Sequence, residues 1–200
     1  ATYGRKLFAL VDTTKALLKA SAGYVPASEN GDGTAQVSET ITDTAAVRGV
    51  EFLSKVGWDQ PFDAFQQMTK WDLTNKGVGD DDIPAILWLL QQTELQGIND
   101  LILSQNQIGA RGARALGKGL SKVRVTSLDL SRNNLTNGGM TGILAIADAL
   151  KSGTAVLTSL NLHNNRLDVQ AGKALADALS VNGVLTECNV LKNNLDSETA

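Results

Sequence analysis

The stretch Ile98-Asn-Asp-Leu101-Ile-Leu103-Ser-Gln-Asn106-Gln-Ile108 decides how this chain folds. Its order is apolar, two others, apolar, one other, apolar, two others, Asn, one other, then Leu or Ile. The same order returns over residues 125–135, 157–167 and 185–195, with first positions 27, 32 and 28 residues apart. A unit recurring at such a period cannot bury its own apolar face, so neighbours stack to complete a shared core. Within each copy the alternation predicts a short strand with one buried side. The inward pairs are Leu101/Leu103, Leu128/Leu130, Leu160/Leu162 and Cys188/Val190. Asn106, Asn133, Asn165 and Asn193 each follow three residues after the second member of a pair. An amide side chain carries donors and an acceptor, so an Asn where the chain leaves the strand can satisfy backbone groups of two coils.

After each turn a small residue leads apolar residues at four-residue steps. The sets are Gly112/Leu116/Leu120, Gly142/Ile146/Leu150 and Ala171/Leu175/Leu179, the middle one preceded by extra residues around Asn137-Gly138-Gly139. Residues four apart share a helix face, and the leading Gly or Ala is expected to let each helix approach the strand layer. A degenerate earlier copy runs through Met68, Trp71, Leu73, Lys76, Val78, Ile86 and Leu90, with Lys76 in the Asn slot. Asp80-Asp81-Asp82 before Ile83-Pro84 reads as a helix start, with acids at the positive end of the dipole.

These phrases and their Gly/Ala-xxx-Leu-xxx-Leu helices resemble the leucine-rich repeats of the ribonuclease-inhibitor-like subfamily, over residues 68–200. The departures are Lys76 for Asn, Cys188 for Leu and the lengthened third unit. The resemblance implies an α/β solenoid, with a curved parallel sheet on the concave side and helices on the convex side. It also implies a protein partner held on one of these surfaces. About five units are expected, the last incomplete. Because residue 200 falls where the last helix should begin, the Cys188/Val190/Leu195 edge is expected to be covered by further chain or by a partner.

Ahead of the repeats, residues 1–20 read as a basic amphipathic helix, residues 21–37 as a polar linker and residues 38–67 as a helical cap on the first repeat. Helical pattern runs from Thr42 to Val56, and Trp58, Phe62 and Phe65 follow around Pro61. Residues 1–20 favour docking on a partner over weak contact with an anionic membrane.

Composition narrows the function. The chain has 200 residues, 42% of them apolar, and a net charge of −3, so no overall field draws it to nucleic acid. One cysteine excludes an internal disulfide framework and favours a reducing compartment such as the cytoplasm. Ala1 leaves open import or secretion after loss of a leader.

Catalytic constellations are weak. The one histidine, His163, stands in the slot that Ser104 and Ser131 occupy in earlier units, with Asp129 close by. A Ser–His pair also needs an oxyanion donor set, and no nucleophile elbow is present. Cys188, in a Leu slot, is expected to behave as a small buried hydrophobe. No metal site or cofactor is expected.

The outward strand positions are the expected contact surface. Asp72, Asp100, Ile102 and Ser104 lie toward its acidic N-terminal part. Asp129, Ser131, Asn161 and His163 continue it, and Glu187 and Asn189 end it, with Arg132 and Lys192 at the turn edge. An acidic strip favours a basic protein partner. The expectation is therefore a non-catalytic interaction module, an accessory or scaffold subunit of a larger complex. Two alternatives come from the resemblance: a regulator of a small GTPase, as in Ran GTPase-activating proteins, and a ligand-sensing fragment of an immune-type receptor.

Overall fold

In the computed structural model, which describes residues 44–58, 67–92, 97–153 and 155–195, each copy of the phrase becomes a strand of three residues. The strands are β1 (Lys70–Asp72), β2 (Asp100–Ile102), β3 (Ser127–Asp129), β4 (Ser159–Asn161) and β5 (Glu187–Asn189). They form one parallel sheet in chain order. The register aligns Trp71, Leu101, Leu128, Leu160 and Cys188 in a single row. So short a strand has one inward residue between two outward ones, and the next alternating position, Leu73, Leu103, Leu130 or Leu162, is also buried. The degenerate copy is thus a true first unit.

Helices follow on the other side: α2 (Ile83–Leu90), α3 (Ala110–Gly119), α4 (Thr141–Lys151) and α5 (Val169–Leu179). A 3-10 turn, Asp80–Asp82, leads into α2, and another, Leu120–Lys122, extends α3. Before the repeats, α1 (Thr44–Lys55) lies against α2. It buries Val50, Phe52 and Leu53, and Phe52 meets Trp71 edge to face at 6.0 Å. The 1–20 helix, the 21–37 linker, and Pro61, Phe62 and Phe65 lie outside the described residues, as does the segment after Leu195.

The coils are tied through the asparagines. Asn133 Nδ2 donates to the carbonyls of Leu103 in the preceding coil (2.8 Å) and Leu130 in its own (3.0 Å), while its Oδ1 accepts from the N–H of Ile108 (3.0 Å). Asn106 does the same toward Leu73, Lys76 and Val78, and Asn193 toward Leu162, Asn165 and Leu167. Lys76 has no coil before it in the sheet among the described residues, and it gives its own N–H to Asn106. Asn165 donates to Leu130 and Leu162, but its buried Oδ1 has no hydrogen-bond partner among the described residues. The turn it faces is the one lengthened around Asn137. Just before each slot stands a residue with left-handed backbone: Asn75, Gln105, Arg132, Asn164 and Lys192, with φ between 54° and 58°.

One expectation needs correction and another extension. The leading glycines do not serve the strand layer. A Cβ on Gly112 would lie 2.6 Å from Asp80 Oδ1 of the preceding unit, and one on Gly142 2.6 Å from the Cβ of Ala113; further along α3, one on Gly117, not a leading glycine, would lie 2.5 Å from the carbonyl carbon of Ala145. The absent side chains of Gly117 and Gly142 let α3 and α4 close on each other. The acidic triplet, too, does more than start its own helix. Asp82 Oδ2 accepts the N–H of Gly79 (2.7 Å) and so caps the turn that opens into α2, while Asp80 Oδ1 accepts the N–H groups of Gly109 (2.7 Å) and Gly112 (2.9 Å) and caps the next unit's helix. That helix has Gly109 at its N-cap, with no side chain to do the work. Asp82 meanwhile joins Lys55 of α1 at 2.6 Å.

Removing the Asn133 amide strands buried backbone groups of two coils at about 1–3 kcal/mol each. Asn133→Ala should therefore lose about 3 kcal/mol in urea unfolding, and Asn193→Ala, at the half-exposed last coil, clearly less. Gly117→Ala should destabilise by about 2 kcal/mol, because its Cβ meets backbone rather than a movable side chain. Gly183→Ala, with nothing within 4 Å of the new atom, should be neutral or stabilising by up to about 1 kcal/mol.

Candidate protein-binding surface

The outward positions of five strands form two rows across the sheet. One holds Lys70, Asp100, Ser127, Ser159 and Glu187; the other holds Asp72, Ile102, Asp129, Asn161 and Asn189. The middle of this face is a shallow hollow of about 260 Å³, with Asp100, Asp129, Asn161 and Glu187 in its lining. Four carboxylates and one ammonium make the face acidic. Lys70 stands 3.9 Å from Asp100, and Glu187 accepts from the Ser159 hydroxyl at 3.1 Å. Lys70 belongs to the face but escaped the sequence reading, because it opens the most degenerate copy.

The second row has a structural occupation as well. Asp72, Asp129, Asn161 and Asn189 each accept, through Oδ1, the N–H two residues ahead, at Thr74, Ser131, His163 and Leu191 (2.7–3.1 Å). This local turn closes the chain as it leaves the strand, and Asp and Asn serve it equally. The signal was visible as Asp or Asn at one slot in four units. It explains that choice without a partner, and leaves one oxygen of Asp129 committed to its own turn.

The next column is Thr74, Ser104, Ser131, His163 and Leu191. Ser104 and Ser131, expected as exposed contact residues, are buried at 8% and 7% exposure. They sit past the strand, where the chain bends inward, and Ser104 exchanges a hydrogen bond with Thr74 at 3.1 Å. His163 is half-buried, and Leu191, at 69%, is openly exposed. Arg132 and Lys192 are exposed on the turns, as their charges require. Cys188 is another correction: it is half-buried rather than buried, because no described coil stacks beyond β5, and what burial it has pushes its thiol up. The Val190 and Leu195 side chains beside it are also only partly covered.

Among the described residues no three His, Cys, Asp or Glu side chains gather as metal ligands would, and no helix is long and apolar enough to cross a membrane.

A parallel sheet of three-residue strands, an Asn in four of the five described coils and a helix after four of the five strands leave little choice of architecture. The fold is a leucine-rich-repeat solenoid. A family model described as Leucine Rich repeat matches residues 98–117 and 125–144, the second and third units. The chain is also 30% identical over 128 residues to the human "NACHT, LRR and PYD domains-containing protein 5". That alignment takes in 64% of this chain and 10% of the relative, so the chain spans about a tenth of the relative's length. The matching model describes a repeat, not a catalytic domain. Leucine-rich repeats are suited to protein–protein interaction through the broad surface that stacking creates.

Asp72 supplies a test of the turn bonds. The Thr74 hydroxyl and then the Thr74 N–H hold its carboxyl below the ordinary range; desolvation opposes them, and Lys70 and Lys76 add to the lowering. A lowered folded value contributes stability above the unfolded carboxyl range, near about 4, and loses it as pH falls through the folded value. Asp72→Asn keeps the acceptor and removes the titration. Urea unfolding should separate parent from variant slightly at about pH 7, and the gap should close as falling pH protonates Asp72 in the folded chain.

Proposed function

We propose that this chain is a non-catalytic protein-binding module of the ribonuclease-inhibitor-like kind, serving as an accessory or scaffold subunit of a larger complex. The observation that carries this reading is the acidic sheet face. Asp72, Asp100, Asp129 and Glu187 project from a surface with one lysine and no aromatic anchor. Such a face steers a basic protein partner and sets specificity more than raw affinity. Arg132 and Lys192 mark its border, while Ile102 and Leu191 offer the apolar contacts. Helix α1 and the residues around it act as the cap of the first unit, since they cover Trp71 and α2. The human relative, in which the aligned segment is a tenth of a longer chain, favours a second reading: that these repeats are the sensing portion of a multidomain receptor.

The test uses neutralisation rather than reversal. Asp129→Asn preserves the bond to Ser131, as Asn161 and Asn189 show in their own units, and removes only the charge. Cross-linking and pull-down with the full chain should recover a reproducible set of neighbours enriched in basic surfaces. The Asp100→Asn/Asp129→Asn variant should lose that set by about tenfold, at about 1.4 kcal/mol for the pair, with its unfolding curve unchanged. Recovery that does not change would move the docking surface off the sheet.

A further inference from the structure

Between Asp100 and Asp129 the sequence contains no Asp or Glu, but it contains Arg111, Arg114, Lys118, Lys122 and Arg124. In a chain of net charge −3 this is a marked local reversal. Helical spacing places Arg111, Arg114, Lys118 and Lys122 in one line along α3 and its 3-10 extension. The opposite side, Ala113, Leu116 and Leu120, is buried in the core. The line therefore points straight out from the helix layer, away from the acidic sheet face. Arg111 is engaged by Asp81 at 2.8 Å and Asp80 at 3.8 Å. Arg114, Lys118, Lys122 and Arg124 are exposed and lie within 4 Å of no carboxylate among the described residues.

An ordinary solvated helix mixes its signs, as α4 does with Asp148 and Lys151 and α5 with Lys173 and Asp177. On α3 the steps from Arg114 to Lys118 and from Lys118 to Lys122 set like charges side by side, with no carboxylate among the described residues within 4 Å of them. We propose that the outward face of α3 is a docking strip for an acidic polypeptide segment.

The shape of the charge selects this partner. The run from Arg114 to Lys122 is one helix wide and about 12 Å long at about 1.5 Å per residue. Four or so residues of extended chain, at about 3.3 Å each, match it end to end. A duplex or a membrane surface is broader, and its phosphates would press against Asp148 on one flank and against Asp80 and Asp81 at the N-terminal end. Bases would also find no aromatic ring on α3 to stack upon. A chain bearing a carboxylate at every second residue meets Arg114, Lys118 and Lys122 without touching those acids. This strip stands independently of the sheet-face reading, since it uses other residues on the other side of the solenoid.

The test is fluorescence anisotropy of the full chain with a labelled peptide of alternating Glu and Ser, about a dozen residues long. Binding should weaken steeply as salt rises from about 0.05 to about 0.5 M. Arg114→Glu/Lys118→Glu should reduce it at least about tenfold, and Arg114→Gln/Lys118→Gln at least about threefold. The second pair carries the test if the first does not fold by circular dichroism. Asp100→Asn/Asp129→Asn should leave this peptide's affinity within about twofold. The proposal is overturned by absent binding, by equal binding of a Gln/Ser peptide, or by affinity indifferent to the Gln pair. It is overturned equally if single-stranded DNA or phosphatidylserine vesicles bind through Arg114 and Lys118 more tightly than the peptide.

Discussion

One amide per coil carries much of the fold's coherence. A strand of three residues cannot satisfy the backbone that turns away from it, and that backbone is buried between coils, where each unpaired group is expensive. The Asn side chain reaches the carbonyl of the coil before it and that of its own strand, and at most slots returns an acceptor to the turn beside it. Stacking thereby becomes a matter of matched hydrogen bonds as well as covered leucines. The same geometry forces a left-handed residue immediately ahead of each Asn, and the chain accepts Gln, Arg, Asn and Lys there without resort to glycine. Such a conformation is uncommon for side-chain-bearing residues. It persists because the bonds on either side fix the turn.

The layer of helices obeys a different constraint. Strands in a parallel sheet stand about 4.8 Å apart, whereas helices need about 8–10 Å between axes. Where two adjacent helices must follow two adjacent strands, side chains have to be removed from the contact. Gly117 and Gly142 do this between α3 and α4, which is why glycine recurs in a helix it would otherwise weaken. Asp80 answers a related need. It leaves its own unit to satisfy the first amides of α3, and so ties two coils on the helix side as the asparagines do near the sheet.

These particulars show what a sequence discloses and what it withholds. Period, strand face, Asn slot and helix face were legible because each is a fixed spacing along the chain, and even the degenerate copy around Trp71 obeyed it. The partners of Gly117, Gly142 and Asp80 were not legible, because spacing says that a residue is small or acidic but not which neighbour it meets. Ser104 and Ser131 failed for a similar reason. Alternation continued past a strand that had already ended, and the chain bent inward where the pattern pointed out. Asp129 and Asn161 were read as contact residues, yet their choice of side chain is accounted for by a bond two residues away.

That last point changes how the surface charge should be weighed. At the turn slot Asn closes the turn as Asp does, so the hydrogen bond alone does not account for a carboxylate there. Asp100 and Glu187, in the other row, have no such turn to close. The sheet face therefore carries a net negative charge, while the outward side of α3 carries cations only. Opposite charges that could have been paired within one unit are instead kept on opposite sides of the same coils. The two docking surfaces proposed above, one on the strands and one on the helices, would each draw on one half of that separation.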